Sequence, residues 1–265
     1  MIHSTAIVSP LAKIGKNVSI GAYSIIGDEV ELADNVEIMS HVCVDGRVTI
    51  GEGTRIFPFA TIGYQPQDLK YHGEKSCVII GKNNSIREYV TIHPGTEGGL
   101  MKTVVGDNNL LMIGVHIAHD CVVGNHVVMG NNATLGGHVV VGNNVIIGGL
   151  SAVHQFVRIG HHAIIGGMSG VERDVVPFGA VKGDRAHLYG LNLIGMRRAE
   201  FHRDEISALQ KAYDVIFCSE GSTSDKLKTA EEQFGNAKCV SDVISFMREE
   251  TSRSFCMPKE SKCSE

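Results

Sequence analysis

The sequence contains no tryptophan, and aromatic residues make up only 6% of its 265 residues. That argues against a roomy core built around large rings and favours a narrow interior filled with aliphatic side chains. The seven cysteines (Cys43, Cys77, Cys121, Cys218, Cys239, Cys256 and Cys263) form no C-x-x-C pair. This gives neither a zinc site nor a disulfide framework, and an odd, scattered set fits a reducing cytosol. There is no excess of positive charge; the formal balance is −5, which offers no support for nucleic-acid binding. No apolar run approaches the length of a membrane span. The start, Met1-Ile2-His3-Ser4, lacks the basic segment and apolar run of a signal peptide. A cytoplasmic location is expected.

What is abundant is glycine, at 31 residues, and a six-residue rhythm. From Ile2 every sixth residue is aliphatic: Val8, Ile14, Ile20, Ile26, Leu32, Ile38, Val44, Ile50, Ile56 and Ile62. The phase holds at Ile80, Ile86 and Ile92, slips by one residue, and resumes from Val105 through Leu111, Ile117, Val123 and Met129 to Val171. Glycine often follows the aliphatic residue, and four places after it stands something small or β-branched, as at Val18, Ser24, Val139 and Ala163. A period of six fits neither an alternating strand nor a 3.6-residue helix. It predicts a triangular parallel β-helix with one short strand and one corner per hexapeptide. The aliphatic residue points inward, the small residue fills the corner, and glycine or asparagine takes the turn conformation. Three hexapeptides close a coil, so residues 18 apart stack at about 4.8 Å. An all-β sandwich would not hold one phase for so long.

Two stretches interrupt the rhythm, at about 64–79 and 94–104, and read as loops thrown out from the coil. The repeat stops after Pro177. The expected division is a β-helix over 1–187 and a helical C-terminal region over 188–265, with a frayed tail from Thr251. Helical spacing is clearest around Ile206, Leu209 and Ala212, again from Lys226 to Phe234, and from Val240 to Phe246. Such a region would cover the open end of the coil, where strand edges are otherwise unpaired.

Thirteen histidines is a high count, and several fall between 116 and 162. The 18-residue rule stacks Gly137 on His119, Gln155 on Gly137, His138 on Asp120 and His154 on Gly136. One side of the coil therefore gathers histidines that are far apart in sequence. Cys121, at an inward repeat position, reads as core.

The runs 110–120 (LLMIGVHIAHD), 131–138 (NNATLGGH), 151–156 (SAVHQF) and 67–71 (QDLKY) resemble the UDP-N-acetylglucosamine O-acyltransferases of lipid A biosynthesis. The resemblance covers nearly the whole coil and the start of the helical region. It implies a left-handed coil, a homotrimer with clefts between subunits, acyl carrier protein as donor, UDP-N-acetylglucosamine as acceptor, and no cofactor or metal. It implies that His119 is the general base and that the Gly137 backbone N–H is the oxyanion donor, with Asp120 or a nearby carbonyl orienting the base. Histidine suits proton removal from a sugar hydroxyl near neutral pH. Substrate contacts are implied for Gln67, Asp68, Lys70, His116, His138, His154, Gln155, Asn192 and Arg198. Gly167 corresponds to the floor of the family's acyl pocket, and Gly149 stacks one coil below it. The chain departs from the family at Arg185, Ile194 and Ala199, where histidine, an acid and a basic residue are usual.

Rival readings are a related N-acyltransferase, a coenzyme A-dependent acetyltransferase, a γ-type carbonic anhydrase and a purely structural coil. The first carries a uridine-binding domain ahead of its coils, whereas here the repeat begins at Ile2. The carbonic anhydrase needs two histidines five apart and a third on a neighbouring coil; His116 and His119 are three apart.

Overall fold

The computed structural model describes residues 1–259; Cys263 and its neighbours at the terminus lie outside the described residues. Strands of mostly two residues stack into three parallel sheets of nine, eight and ten strands. These are the three faces of a left-handed parallel β-helix. The first face contains Ile7–Val8, Ile25–Ile26 and their successors, the second Lys13–Ile14 and its successors, the third Ser19–Ile20 and its successors. The register follows the sequence rhythm, with Ile7 opposite Ile25, Lys13 opposite Glu31 and Ser19 opposite Glu37. The inward column (Ile20, Ile38, Ile56, Ile86, Leu111, Met129, Ile147) is at most 2% exposed, and the corner residues Val18, Val36, Ala133 and Ala163 fill in behind it.

Both insertions leave the coil at the same place. Thr61 pairs with Thr91, 30 residues on, and Thr91 pairs with His116, 25 residues on. Against a coil of 18, the extra chain is 12 and then 7 residues. Each insertion lies between a first-face strand and a second-face strand, at what is here called the first corner. The coil resumes at Cys77–Ile80 and at Lys102–Val105, so the last few residues of each expected loop are strand.

Two expectations about the corners need correction. Except at Gly63 (φ +84°), the glycines that follow the inward residue do not supply a left-handed turn; a Cβ at Gly15 would stand 2.6 Å from the Ala33 carbonyl carbon, and one at Gly51 2.5 Å from that of Gly81. Glycine is required there by the close approach of the next coil. The left-handed position is filled, as expected, by glycine at Gly53 and Gly114 and by asparagine at Asn17, Asn35, Asn108 and Asn144, but also by Tyr23, Phe59, Tyr89 and Phe156. The ring of Phe59 stacks on that of Tyr89 at 5.2 Å, so inter-coil contact offsets the backbone strain.

The coil ends on Phe178, 1% exposed, and on Gly179–Lys182 paired antiparallel with His187–Leu191. Strand therefore continues past Leu188, where the helical region was expected to begin. Four α-helices follow among the described residues, α1 Leu193–Arg198, α2 Arg203–Tyr213, α3 Thr223–Phe234 and α4 Lys238–Arg248, with a π-helical turn Asp214–Cys218 continuing α2. In α2 the spacing of Ile206, Leu209 and Ala212 makes one buried stripe, and Asp204 and Glu205 favour the helix N-terminus. From Thr251 to Met257 the segment after α4 is not frayed. Phe255 bridges Asp174 in parallel, Thr251 donates its hydroxyl to Asp174 at 2.9 Å, and the Leu188 N–H donates to Met257 O at 3.1 Å. None of the helices of the described residues is long and apolar enough to cross a membrane.

Candidate active site

The first corner repeats as Ala118–Cys121, Gly136–Val139 and His154–Val157 on successive coils. His119 is 7% exposed and Asp120 1% exposed. His119 Nδ1 lies 2.9 Å from Asp120 Oδ2, with Asp120 in the left-handed conformation of the corner, φ +60°. Asp120 is held in turn by the second loop. It accepts hydrogen bonds from Thr96 Oγ1 at 2.6 Å, from Thr96 N–H at 3.1 Å and from Leu100 N–H at 2.7 Å. The loop comes this close because Gly99 has no side chain; a Cβ there would lie 2.3 Å from the Asp120 carboxyl carbon. Burial would raise the Asp120 carboxyl, but the bonds from Thr96, His119 and Leu100 outweigh it and hold it below its ordinary value. Asp120 is thus a charged anchor that fixes the His119 ring and leaves Nε2 to face outward chemistry.

Nε2 faces Gly137. A Cβ on Gly137 would stand 2.5 Å from His119 Cε1 and 2.6 Å from Nε2. The Gly137 N–H makes no hydrogen bond among the described residues. That is unlike the second corner, between the second and third faces. There the N–H groups of Asp107 and Asn125 donate to Asn125 Oδ1 and Asn143 Oδ1, each at 2.7 Å. The residue stacked over Gly137 is Gln155, which leaves that N–H unpaired. Ring, N–H and open space together can remove a proton from a hydroxyl and receive the charge of an oxyanion.

Other expected residues gather here. His138 packs edge-on to His119 at 5.0 Å and face-on to Phe156 at 4.4 Å, with its Nδ1 4.0 Å from Asp120. Burial lowers the His138 pKa; Asp120 and Asp68 oppose that, His119 and Lys70 add to it. Asp68 and Lys70 of the first loop therefore lie within electrostatic reach of His138. Gln67 is exposed on the same loop. His116 projects from the first face, its Nδ1 2.6 Å from Thr91 Oγ1, and burial lowers its pKa. His154 and Gln155 stand exposed one coil beyond Gly137. Cys121 is core: buried, with its thiol pushed up to about 12 by burial.

Asn192 and Arg198 are elsewhere. They line a cleft of about 800 Å³ along the third face, with His126, His162, Tyr189 and Arg197. Asn192 already caps α1, accepting from Gly195 N–H at 3.0 Å and donating to His162 O at 2.9 Å. In a triangular coil the first corner is opposite the third face, so within one chain this cleft is nowhere near His119. Gly149 and Gly167 lie at the third corner, separated from His119 by the first face. A Cβ at Gly167 would meet only the Gly149 backbone, at 3.3 Å.

Three groups were missed from sequence. Leu100 acts through its backbone N–H and Thr96 through both its N–H and its hydroxyl, from a loop whose path the repeat does not reveal. His93 is 8% exposed, edge-on to His116 at 5.0 Å, and its Nδ1 has no partner among the described residues. Burial, then His116 and His119, push its pKa down to about 4. Its place follows from stacking only once the second insertion is counted.

The cluster His119, Asp120 and His138 has donor atoms within 4.8 Å of one another. Asp120, however, already accepts four hydrogen bonds from Thr96, Leu100 and His119, if its carboxylate is ionised and Nδ1 carries a proton. A carboxylate so committed does not fit a metal ligand, which disfavours the carbonic anhydrase reading.

Comparison with known proteins decides the family. The chain is 54% identical over 256 residues to the acyl-[acyl-carrier-protein]--UDP-N-acetylglucosamine O-acyltransferase of Rickettsia typhi, covering 96% of this chain and 97% of that one. It belongs to the UDP-N-acetylglucosamine O-acyltransferase family. The enzyme of the same name from Thermodesulfovibrio yellowstonii is 47% identical over 96% of this chain and 98% of that one. A family model described as UDP-N-acetylglucosamine O-acyltransferase, domain 2, matches residues 174–256, and one for bacterial transferase hexapeptides matches 102–137. Among solved structures, a UDP-N-acetylglucosamine acyltransferase superposes with TM-score 0.94 at 44% identity, covering 98% of this chain and 100% of that one. The Arabidopsis enzyme superposes at 0.86 with 37% identity, covering 97% and 100%.

Proposed function

We propose that this enzyme transfers an acyl chain from acyl carrier protein to the 3-hydroxyl of UDP-N-acetylglucosamine, the first step of lipid A biosynthesis. The observation that carries the mechanism is His119 tied to Asp120 at 2.9 Å, with its other nitrogen beside the unpaired N–H of Gly137. His119 Nε2 takes the proton of the sugar hydroxyl as that oxygen bonds to the thioester carbonyl carbon. The carbonyl oxygen becomes an oxyanion, which the Gly137 N–H stabilises. Collapse of the intermediate restores the carbonyl, breaks the carbon–sulfur bond and expels the carrier's thiolate, which recovers the proton from His119. The Asp120 carboxylate stabilises the imidazolium between these events. No covalent enzyme intermediate is required.

Asp68, Lys70, His116, His138, His154 and Gln155 surround the base and are assigned to the sugar nucleotide and the donor. Asn192 and Arg198 are assigned to the nucleotide end from a second copy of the chain. The separation of first corner and third face favours this. A ring of three copies, the first corner of each against the third face of the next, brings the two half-sites together and closes. The acyl chain is assigned to the first face, whose outward column narrows from His116 through Thr134 and Ala152 to Gly170 beside Gly167.

The test is transfer of a hydroxyacyl group from acyl carrier protein to UDP-N-acetylglucosamine by the pure protein, with the diamino sugar as competitor. No ester product from either acceptor would sink the reading. For the assembly, His119→Ala and Arg198→Ala are each expected to be inactive alone and to regain part of the activity when coexpressed. Strict failure to complement would place both half-sites on one chain.

A further inference from the structure

The segment after α4 runs beside the first corner, and its Arg253 reaches two of the residues assigned to the substrate. Arg253 Nη2 lies 2.8 Å from His154 Nδ1, and Arg253 Nε donates to Gln155 O at 3.1 Å. The geometry points to Arg253 as a positioning residue for substrate binding, acting through the His154 ring and the Gln155 backbone. The inference rests on the assignment of His154 and Gln155 to the sugar nucleotide.

Arginine only donates hydrogen bonds. A contact of 2.8 Å therefore makes His154 Nδ1 the acceptor, and the ring proton sits on Nε2. His154 Nδ1 is also 3.3 Å from Gln155 O, where an Nδ1–H would otherwise be drawn. Arg253 removes that choice by taking Nδ1 with one arm of its fork and Gln155 O with the other. His154 then presents a fixed Nε2–H donor. Without Arg253 an exposed ring at a corner would sample both tautomers and several rotamers.

The arginine is itself held. Its backbone N–H donates to Thr251 Oγ1 at 3.1 Å, and Thr251 donates to Asp174 at 2.9 Å. Asp174, fully buried, also takes Arg158 Nε at 2.8 Å and the Arg158 N–H at 2.9 Å. The Asp174 N–H donates to Ser254 O at 2.9 Å and the Cys256 N–H to Asp174 O at 2.8 Å, on either side of Phe255. These bonds use no part of the Arg253 side chain, so its removal leaves the segment docked. His119 and Asp120 lie three coils from Asp174 and share no hydrogen bond with Arg253.

The experiment compares Arg253→Ala, Arg253→Lys and His154→Ala in the full-length enzyme, with folding checked by thermal melting. Arg253→Ala is expected to raise KM for UDP-N-acetylglucosamine about tenfold, the worth of one well-placed hydrogen bond, with kcat within about twofold. Arg253→Lys should recover only part of the loss, because an ammonium lacks the fork. Free guanidinium should restore KM in Arg253→Ala and do nothing in His154→Ala. Normal KM in Arg253→Ala beside a raised KM in His154→Ala overturns the role of Arg253 and leaves the site assignment standing. Normal KM in His154→Ala overturns the assignment, and the inference with it. If Arg253→Ala fails to fold, Arg253→Lys decides: a wild-type KM there overturns the fork argument.

Discussion

The first and second corners of this coil are made from the same hexapeptide, yet they use their polar groups in opposite ways. At the second corner, Asp107, Asn125 and Asn143 stack from coil to coil, and the N–H groups of Asp107 and Asn125 are each spent on the side chain of the next turn. At the first corner, the equivalent stack is His119, Gly137 and Gln155, and the Gly137 N–H is left free. Both insertions emerge there, and one of them supplies Thr96 and Leu100 to Asp120. A repeat scaffold gains a site where it stops satisfying itself, and here the side-chain ladder of the second corner has no counterpart at the first.

The comparison is broken most severely at the base. His119→Ala should lower kcat by about two to four powers of ten, with little change in melting temperature, as for removal of a general base. Near-normal turnover would refute the mechanism. The next test sets two glycines against each other. In Gly137→Ala the new methyl stands 2.6 Å from His119 Nε2, and the ring must swing away. Turnover should fall about a hundredfold while the fold holds. In Gly142→Ala the methyl meets the backbone nitrogen of His161 at 2.6 Å. Stability should fall by about 1–3 kcal/mol, with activity per folded molecule intact. Swapped outcomes would show that the two corners do not divide the labour as described.

A smaller effect concerns pH. His93, at the first corner, titrates at about 4 in the native protein against 6.5 when free. Because the folded value is the lower, the unfolded chain binds the extra proton first. The stability His93 contributes is whole above pH 6.5 and is lost progressively as pH falls toward about 4. His93→Phe should flatten the melting temperature across that window; an unchanged slope would show that other groups set it. The smallest effect is expected at the third corner. Gly167→Met should shift donor preference toward shorter acyl chains without touching the base, read as the ratio of kcat/KM for long and short acyl carrier proteins. Identical rankings would move the chain off that corner.

Most of the coil was legible because its register is its sequence period: Ile7 to Ile25 to Cys43 is counting by 18. The stacking of Gly137 on His119 followed from the same count. The two insertions show where counting fails. Twelve extra residues are two hexapeptides, so the first left the phase of Ile80 and Ile86 unchanged. Seven are one hexapeptide and one residue, so only the second produced a visible slip, at Val105. The orientation of His119 was not legible, since Asp120 is fixed by the Thr96 hydroxyl and by backbone N–H groups of a loop whose path no period describes. The resemblance implied Asn192 as a substrate contact, but its amide is engaged in capping α1 and in donating to His162 O. The docking of Thr251–Met257 was hidden because a polar, aperiodic tail pairs through its main chain, at Asp174 and Leu188.

The coil also has two unlike ends. Phe178, the paired strands behind it and the helices seal one of them, while Met1, Ile2, Ile7 and Leu11 stand exposed at the other. In a stack where each turn touches only its neighbours, cohesion is a sum of nearest-neighbour terms, and melting proceeds inward from the weaker end. The turns before Thr61 therefore act as a sacrificial length of thread. They can fray by several hexapeptides before the disturbance reaches the turn that holds His119.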